Sequence, residues 1–159
     1  MKLAHGLVVA MVCLVGAAVP VAVNAAGGAG GDFGVNAQPT DPDYAKGVKA
    51  VEAKRWDDAN QRFLRALARD DKNADILNYL GYTERNRGNM DDAFKYYEKA
   101  LALNPKHRGA HEYLGEAYLM TGNLPKAEEQ LAALDKLCFF SCEEYRELKE
   151  KIAEYKKKK

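Results

Sequence analysis

From Asp41 onward the chain returns to the same residue types every 34 positions, and this regularity restricts the fold more than any other feature. Gly47, Gly81 and Gly115 fall in register, as do Ala59, Ala93 and Ala127. Trp56, Met90 and Leu124 form a third column, Phe63, Tyr97 and Leu131 a fourth, and Ala66, Ala100 and Leu134 a fifth. Each unit reads as two amphipathic helices joined by a tight turn, as in ADILNYLGYTERNRG followed by NMDDAFKYYEKALALNP. The small Gly81 and Ala93 are predicted at the closest approach of the paired helices, with Met90 and Tyr97 filling the space beside them. Gly88 and Gly122 fall in the turns, where a left-handed backbone is needed. Pro105 stands where the second helix of its unit must stop. The column residues, Trp56 included, read as core rather than site.

These residues resemble the tetratricopeptide repeat, and the resemblance spans residues 40–138. YLGYTERNRGNMDDAFKYYEKALALNP is the best copy and YLGEAYLMTGNLPKAEEQLAAL is close to it. The first copy, GVKAVEAKRWDDANQRFLRALARDD, is degenerate, with Lys46 in the column of Leu80 and Leu114 and Asp71 in place of Pro105. A terminal repeat meets water on its outer face, which accounts for that. The resemblance implies an all-α, right-handed superhelix of three helix-turn-helix units at 41–73, 74–107 and 108–138. A capping helix with a lysine tail follows over 139–159. In SCEEYRELKEKIAEY, Ser141 is expected to cap that helix in a box with Glu144. Tyr145, Leu148, Ile152 and Tyr155 make its apolar stripe. Lys156, Lys157, Lys158 and Lys159 read as a solvated tail.

Residues 1–25 have a different character. Lys2 opens a short positive region, residues 7–23 carry no charge, and small residues follow, with Val23 and Ala25 placed for cleavage after Ala25. This is the order of a secretory signal and predicts export, to the periplasm in a Gram-negative source, with no span left after cleavage. Cys13 lies in the discarded part, where Met11 and Val12 do not fit a lipoprotein signal. The Gly-rich residues 26–40 read as a flexible tether. The whole chain has 24 basic and 23 acidic side chains, so losing Lys2 leaves the charges balanced. That excludes the basic footprint of a nucleic-acid-binding domain.

Cys138 and Cys142, an even pair in an exported chain, are expected to form a disulfide that staples the capping helix to the array. The alternative is thiol-redox or copper chemistry at this pair on the repeat scaffold, with His107 and His111 at helical spacing as further ligands. Against redox activity, three residues separate the cysteines and no strand pattern precedes them. Thioether haem attachment would need histidine where Glu143 stands. The sequence contains no phosphate loop, nucleophile elbow or zinc-protease helix, so neither enzyme activity nor a cofactor is expected.

The resemblance also implies a groove lined by the first helix of each unit, where members of the family hold a peptide or a partner's helix. Counting along the repeat places Asp41, Tyr44, Val48 and Glu52 on this face in copy one. Copy two contributes Asp75, Asn78, Tyr79, Tyr82 and Asn86, and copy three Glu112, Tyr113, Glu116 and Met120. The tyrosines are candidates for recognition, although Tyr79 and Tyr113 equally suit packing between repeats. Asp41 and Asp75, with Tyr44 and Val48, replace the family's basic clamp for carboxylate tails. The groove therefore favours a partner with basic or apolar side chains. The expected function is an exported, non-enzymatic adaptor for a protein segment, with self-association through the open end of copy one as a further expectation.

Overall fold

The computed structural model describes residues 41–158, so the predicted signal and tether lie outside the described residues. The described chain is helical: α1 (Pro42–Glu52), α2 (Trp56–Leu67), α3 (Ala74–Arg87), α4 (Met90–Leu103), α5 (Arg108–Met120), α6 (Leu124–Leu137) and α7 (Glu143–Lys157). Among the described residues no helix is long and apolar enough to cross a membrane. Polar side chains start the first helix of each pair. The Asp41 carboxylate accepts from the amides of Asp43 and Tyr44, and the Asn73 oxygen from those of Asp75 and Ile76. For α5 the cap is His107, whose Nδ1 accepts from the Ala110 amide at 3.1 Å.

Both predicted turn glycines are left-handed, with φ of 85° at Gly88 and 80° at Gly122. Copy one puts Lys54 at the matching position, and it too is forced to positive φ, at 54°. A side chain there costs about 1 kcal/mol or more, partly offset by its smaller backbone entropy loss on folding. Lys54→Gly should therefore raise stability by about 0.5–1 kcal/mol, and Gly88→Ala should lower it by about 1 kcal/mol. Urea midpoints at unchanged slope would show both shifts, and a loss of stability in Lys54→Gly would contradict the reading.

The glycine column does what its register predicts in two units, and something different in the third. A Cβ on Gly47 would stand 2.7 Å from the Phe63 ring, and one on Gly81 2.6 Å from the Tyr97 ring. In the third unit the fourth-column residue is Leu131, too short to fill the notch, and the side chain against Gly115 is Leu148 of α7. That helix takes the place that the first helix of a further unit would occupy. Its stripe behaves as expected: Leu148 and Ile152 are buried with Ala127 and Leu134, and Tyr145 and Tyr155 pack at the edge.

Adjacent units are joined by chemically different contacts at equivalent positions. Between units one and two Asn60 donates to the buried Glu84 at 2.7 Å. Between units two and three the same positions hold Phe94 and Tyr118, with ring centroids 5.0 Å apart. Glu84 is fully served, because Arg87 and Asn89 also donate to its carboxylate.

The start of α7 corrects one expectation. Ser141 does not cap it. Cys142 takes the N-cap position, with its sulfur 2.00 Å from that of Cys138 and the two Cα atoms 5.5 Å apart. The disulfide places the helix start one residue later than the capping box requires. Glu144 turns inward instead and meets the Arg108 guanidinium at 3.3 Å. On the chain-entropy account so short a disulfide loop contributes about 2 kcal/mol, and it ties the start of α7 to the end of α6.

Candidate functional site

The first helices α1, α3 and α5 lie side by side, and α7 continues the row. The expected groove residues divide by burial. Tyr44 and Val48 are half-buried, and Tyr44 lies edge-on to Phe63 at 5.9 Å and to Tyr79 at 5.5 Å. Tyr79 is 3% exposed and stacks on Phe63 at 4.7 Å, so it packs between units instead of facing the groove. Burial pushes the Tyr44 phenol up to about 12, with the Asp75 charge adding to it, and raises Tyr79 further, so both stay neutral. Asn78 is buried beside Gly109, and no hydrogen-bond partner reaches its amide among the described residues. Tyr82 and Glu116 are half-buried at the surface of the row, while Asn86, Glu52 and Met120 are exposed.

Two acidic positions are committed elsewhere. Asp41 caps α1 and accepts from Arg69 Nε at 2.6 Å, and this guanidinium holds its carboxyl well below the usual range. Asp75 accepts from His107 Nε2 at 3.0 Å, the nitrogen opposite the one that caps α5. His107 is therefore engaged at both ring nitrogens. His111 faces Gln130 through Nδ1 and the Pro105 carbonyl through Nε2. Among the described residues no three His, Cys, Asp or Glu side chains converge as a metal-binding group.

Where α3, α5 and α7 meet, the row opens into a cavity of about 350 Å³. Tyr82, Arg85, Glu112, Tyr113 and Glu116 line one side of it, and Glu147, Glu150, Lys151 and Glu154 of α7 form the other wall. Arg85 anchors the middle, with its guanidinium 5.2 Å from the Tyr82 ring centre, 5.4 Å from that of Tyr113, and ion-paired to Glu116. A second hollow of about 320 Å³ adjoins it over Leu119, Met120 and Tyr155, so the two form one trough. A separate depression of about 540 Å³ lies by the turns, around Trp56, Arg87 and Asn89. It contains none of the predicted groove residues.

At the floor of the first cavity Glu112 is fully buried. Among the described residues no amide, hydroxyl or cationic donor reaches either oxygen, and the side chain set against it is another acid, Glu147, close enough for the two carboxyls to share a proton. Burial, and then that neighbour, push the Glu112 carboxyl up to about 10.

Of the groove residues counted from the sequence, Tyr82, Glu112, Tyr113 and Glu116 line this cavity, and Arg85 and the α7 wall were not among them. The wall was marked by its spacing, because Glu147, Glu150 and Glu154 recur at helical intervals beside the apolar stripe. Treating α7 as a cap removed it from the count of groove-lining helices.

Stacked helical hairpins closed by one further helix, with a trough across their first helices, define an α-helical repeat solenoid. The chain belongs to the tetratricopeptide repeat family, whose profile matches residues 44–107 and again 85–152. Comparison with curated proteins returned no match. Among solved structures, the Yersinia enterocolitica type III secretion chaperone SycD with a peptide of the translocator YopD is similar. It shares 20% identity over 73% of this chain and 88% of that one, with a TM-score of 0.63. PcrH bound to the chaperone-binding region of PopD shares 20% over 73% and 90%, with a TM-score of 0.64. The second such domain of human RPAP3, with an HSP70 peptide, shares 18% over 70% and 92%, with a TM-score of 0.62. At these identities the likeness is one of fold.

Proposed function

We propose that this protein is an exported, non-enzymatic adaptor that holds a segment of another protein in the trough across α3, α5 and α7. The observation that carries the reading is the cavity itself, walled by tyrosines, an anchored arginine and the polar face of α7. Solenoids of the same fold are described in complex with peptides of YopD, PopD and HSP70. The export proposal rests on the charged, apolar and small-residue order of residues 1–25, with the periplasm as the compartment in a Gram-negative source.

The test is crosslinked capture from the native envelope with the mature chain, mapping each crosslink to its residue. A partner peptide joined to Lys151, and lost in Tyr82→Ala while the helical signal persists, supports the trough. Partners crosslinked only outside it would move the site elsewhere. Tyr44 is unsuitable as the probe because its ring supports Phe63 and Tyr79. An N-terminal peptide of the recovered protein that begins at Ala26 supports export, and one beginning at Met1 counts against it.

A further inference from the structure

Two buried glutamates in this molecule are treated in opposite ways. Glu84 receives Asn60, Arg87 and Asn89, and its charge is compensated where it stands. Glu112, more deeply buried, faces a cavity, and its carboxyl meets a second acid, Glu147, in place of the amide and guanidinium donors that serve Glu84. A buried pair of acids without a cation costs stability, so it persists where something outside the chain completes it.

We propose that Glu112 and Glu147 form a receptor for one lysine or arginine side chain of the bound segment, with α7 supplying half of the site. The proposal rests on the trough reading above and names the partner's chemistry there. Charge complementarity supports it: Glu116 is already satisfied by Arg85, which leaves Glu112, Glu147, Glu150 and Glu154 facing the cavity against Lys151. The two acids together offer an ammonium or guanidinium several carboxylate oxygens once the shared proton leaves. The raised Glu112 carboxyl agrees, because the empty pair keeps a proton in the place an arriving cation would take. The occupant is a chain segment rather than a free small cation. The trough continues over Leu119, Met120 and Tyr155, an apolar shelf that neighbouring residues of a peptide would cover.

The test is a selection of random nine-residue peptides by the mature protein, followed by binding titrations of the selected peptides. The expected result is a fixed Lys or Arg in the selected set. Replacing that residue by Gln should weaken binding about tenfold or more, and Glu147→Gln should remove the preference while leaving the melting curve near wild type. Glu112→Gln should also remove the preference and keep the fold, with the melting temperature raised rather than unchanged. Peptides selected without a fixed cation would overturn this inference and leave the trough reading standing. No selected peptides at all would overturn both. Spermidine binding as tightly as the peptides would overturn the assignment to a protein segment.

Discussion

Glu112→Gln should make the protein more stable at pH 8 and flatten its stability profile between pH 5 and pH 9. An unfolded glutamate titrates near 4.5, whereas the native structure pushes Glu112 up to about 10. Between those values the folded chain holds a proton that the unfolded chain has lost, so stability falls as pH rises. The contribution is complete below about pH 4.5 and is lost as pH climbs through the native value, at up to about 1.4 kcal/mol per unit. The groups facing this carboxyl are Arg85 and Tyr82 from α3, Tyr97 from α4, Tyr113 and Glu116 from α5, and Glu144, Glu147, Glu150, Lys151 and Glu154 from α7. Acids outnumber bases there, which keeps the shift upward. Gln has nearly the same shape and no charge, so the variant should gain about 2–4 kcal/mol at pH 8, or roughly 5–10 °C or more in Tm. Glu84→Gln should move the other way, because its carboxylate binds donors from three residues. Thermal melts at pH 5, 7 and 9 decide the matter. A wild-type slope retained by Glu112→Gln would show that this carboxyl is ionised in the native state.

That gain explains why such a residue marks a site. A chain optimised only for stability would put glutamine or an apolar residue at position 112. The stability forgone at Glu112 is what the proposed cation receptor would recover on binding.

The solenoid was legible because its signals are local and repeated. The glycine, alanine and aromatic columns record one helix-to-helix contact three times, and Gly88 and Gly122 mark turns that require their backbone freedom. The groove was less legible because helical counting gives the face of a residue but not its depth. Tyr79 and Tyr82 both count toward the groove, yet Tyr79 is captured by Phe63 and Tyr44 while Tyr82 stays at the surface beside Arg85. Glu144 shows another limit. Its spacing from Ser141 suited a capping box, but the disulfide moved the helix start and the side chain went to Arg108. Leu148 was expected on the apolar stripe. Its reach into the Gly115 notch depended on the shortness of Leu131, a comparison across two columns that no single motif contains.

The glycine column gives the second large effect, and it separates fold from site. Gly81→Ala should destabilise the protein by about 3 kcal/mol or more, although alanine is the better helix former by about 1 kcal/mol. The added methyl would lie 2.6 Å from two atoms of the Tyr97 ring, and that ring is fully buried in the centre of the array. A rigid ring enclosed on all sides yields only if α3 and α4 move apart, which breaks the close packing of the middle unit. Gly115→Ala places its methyl even closer, 2.5 Å from a Leu148 methyl, yet should cost only about 1 kcal/mol. There the obstacle is the flexible end of an aliphatic side chain on the terminal helix, which can give by a small tilt of α7 about its disulfide-held start. The shift carries Glu147 away from Glu112, so this variant should lose peptide binding out of proportion to its lost stability. Gly81→Ala should show the reverse balance, melting about 10 °C lower but binding normally while folded. Parallel melts and peptide titrations on the two variants provide the comparison. Equal binding losses per unit of lost stability would mean that α7 supports the array without shaping the site.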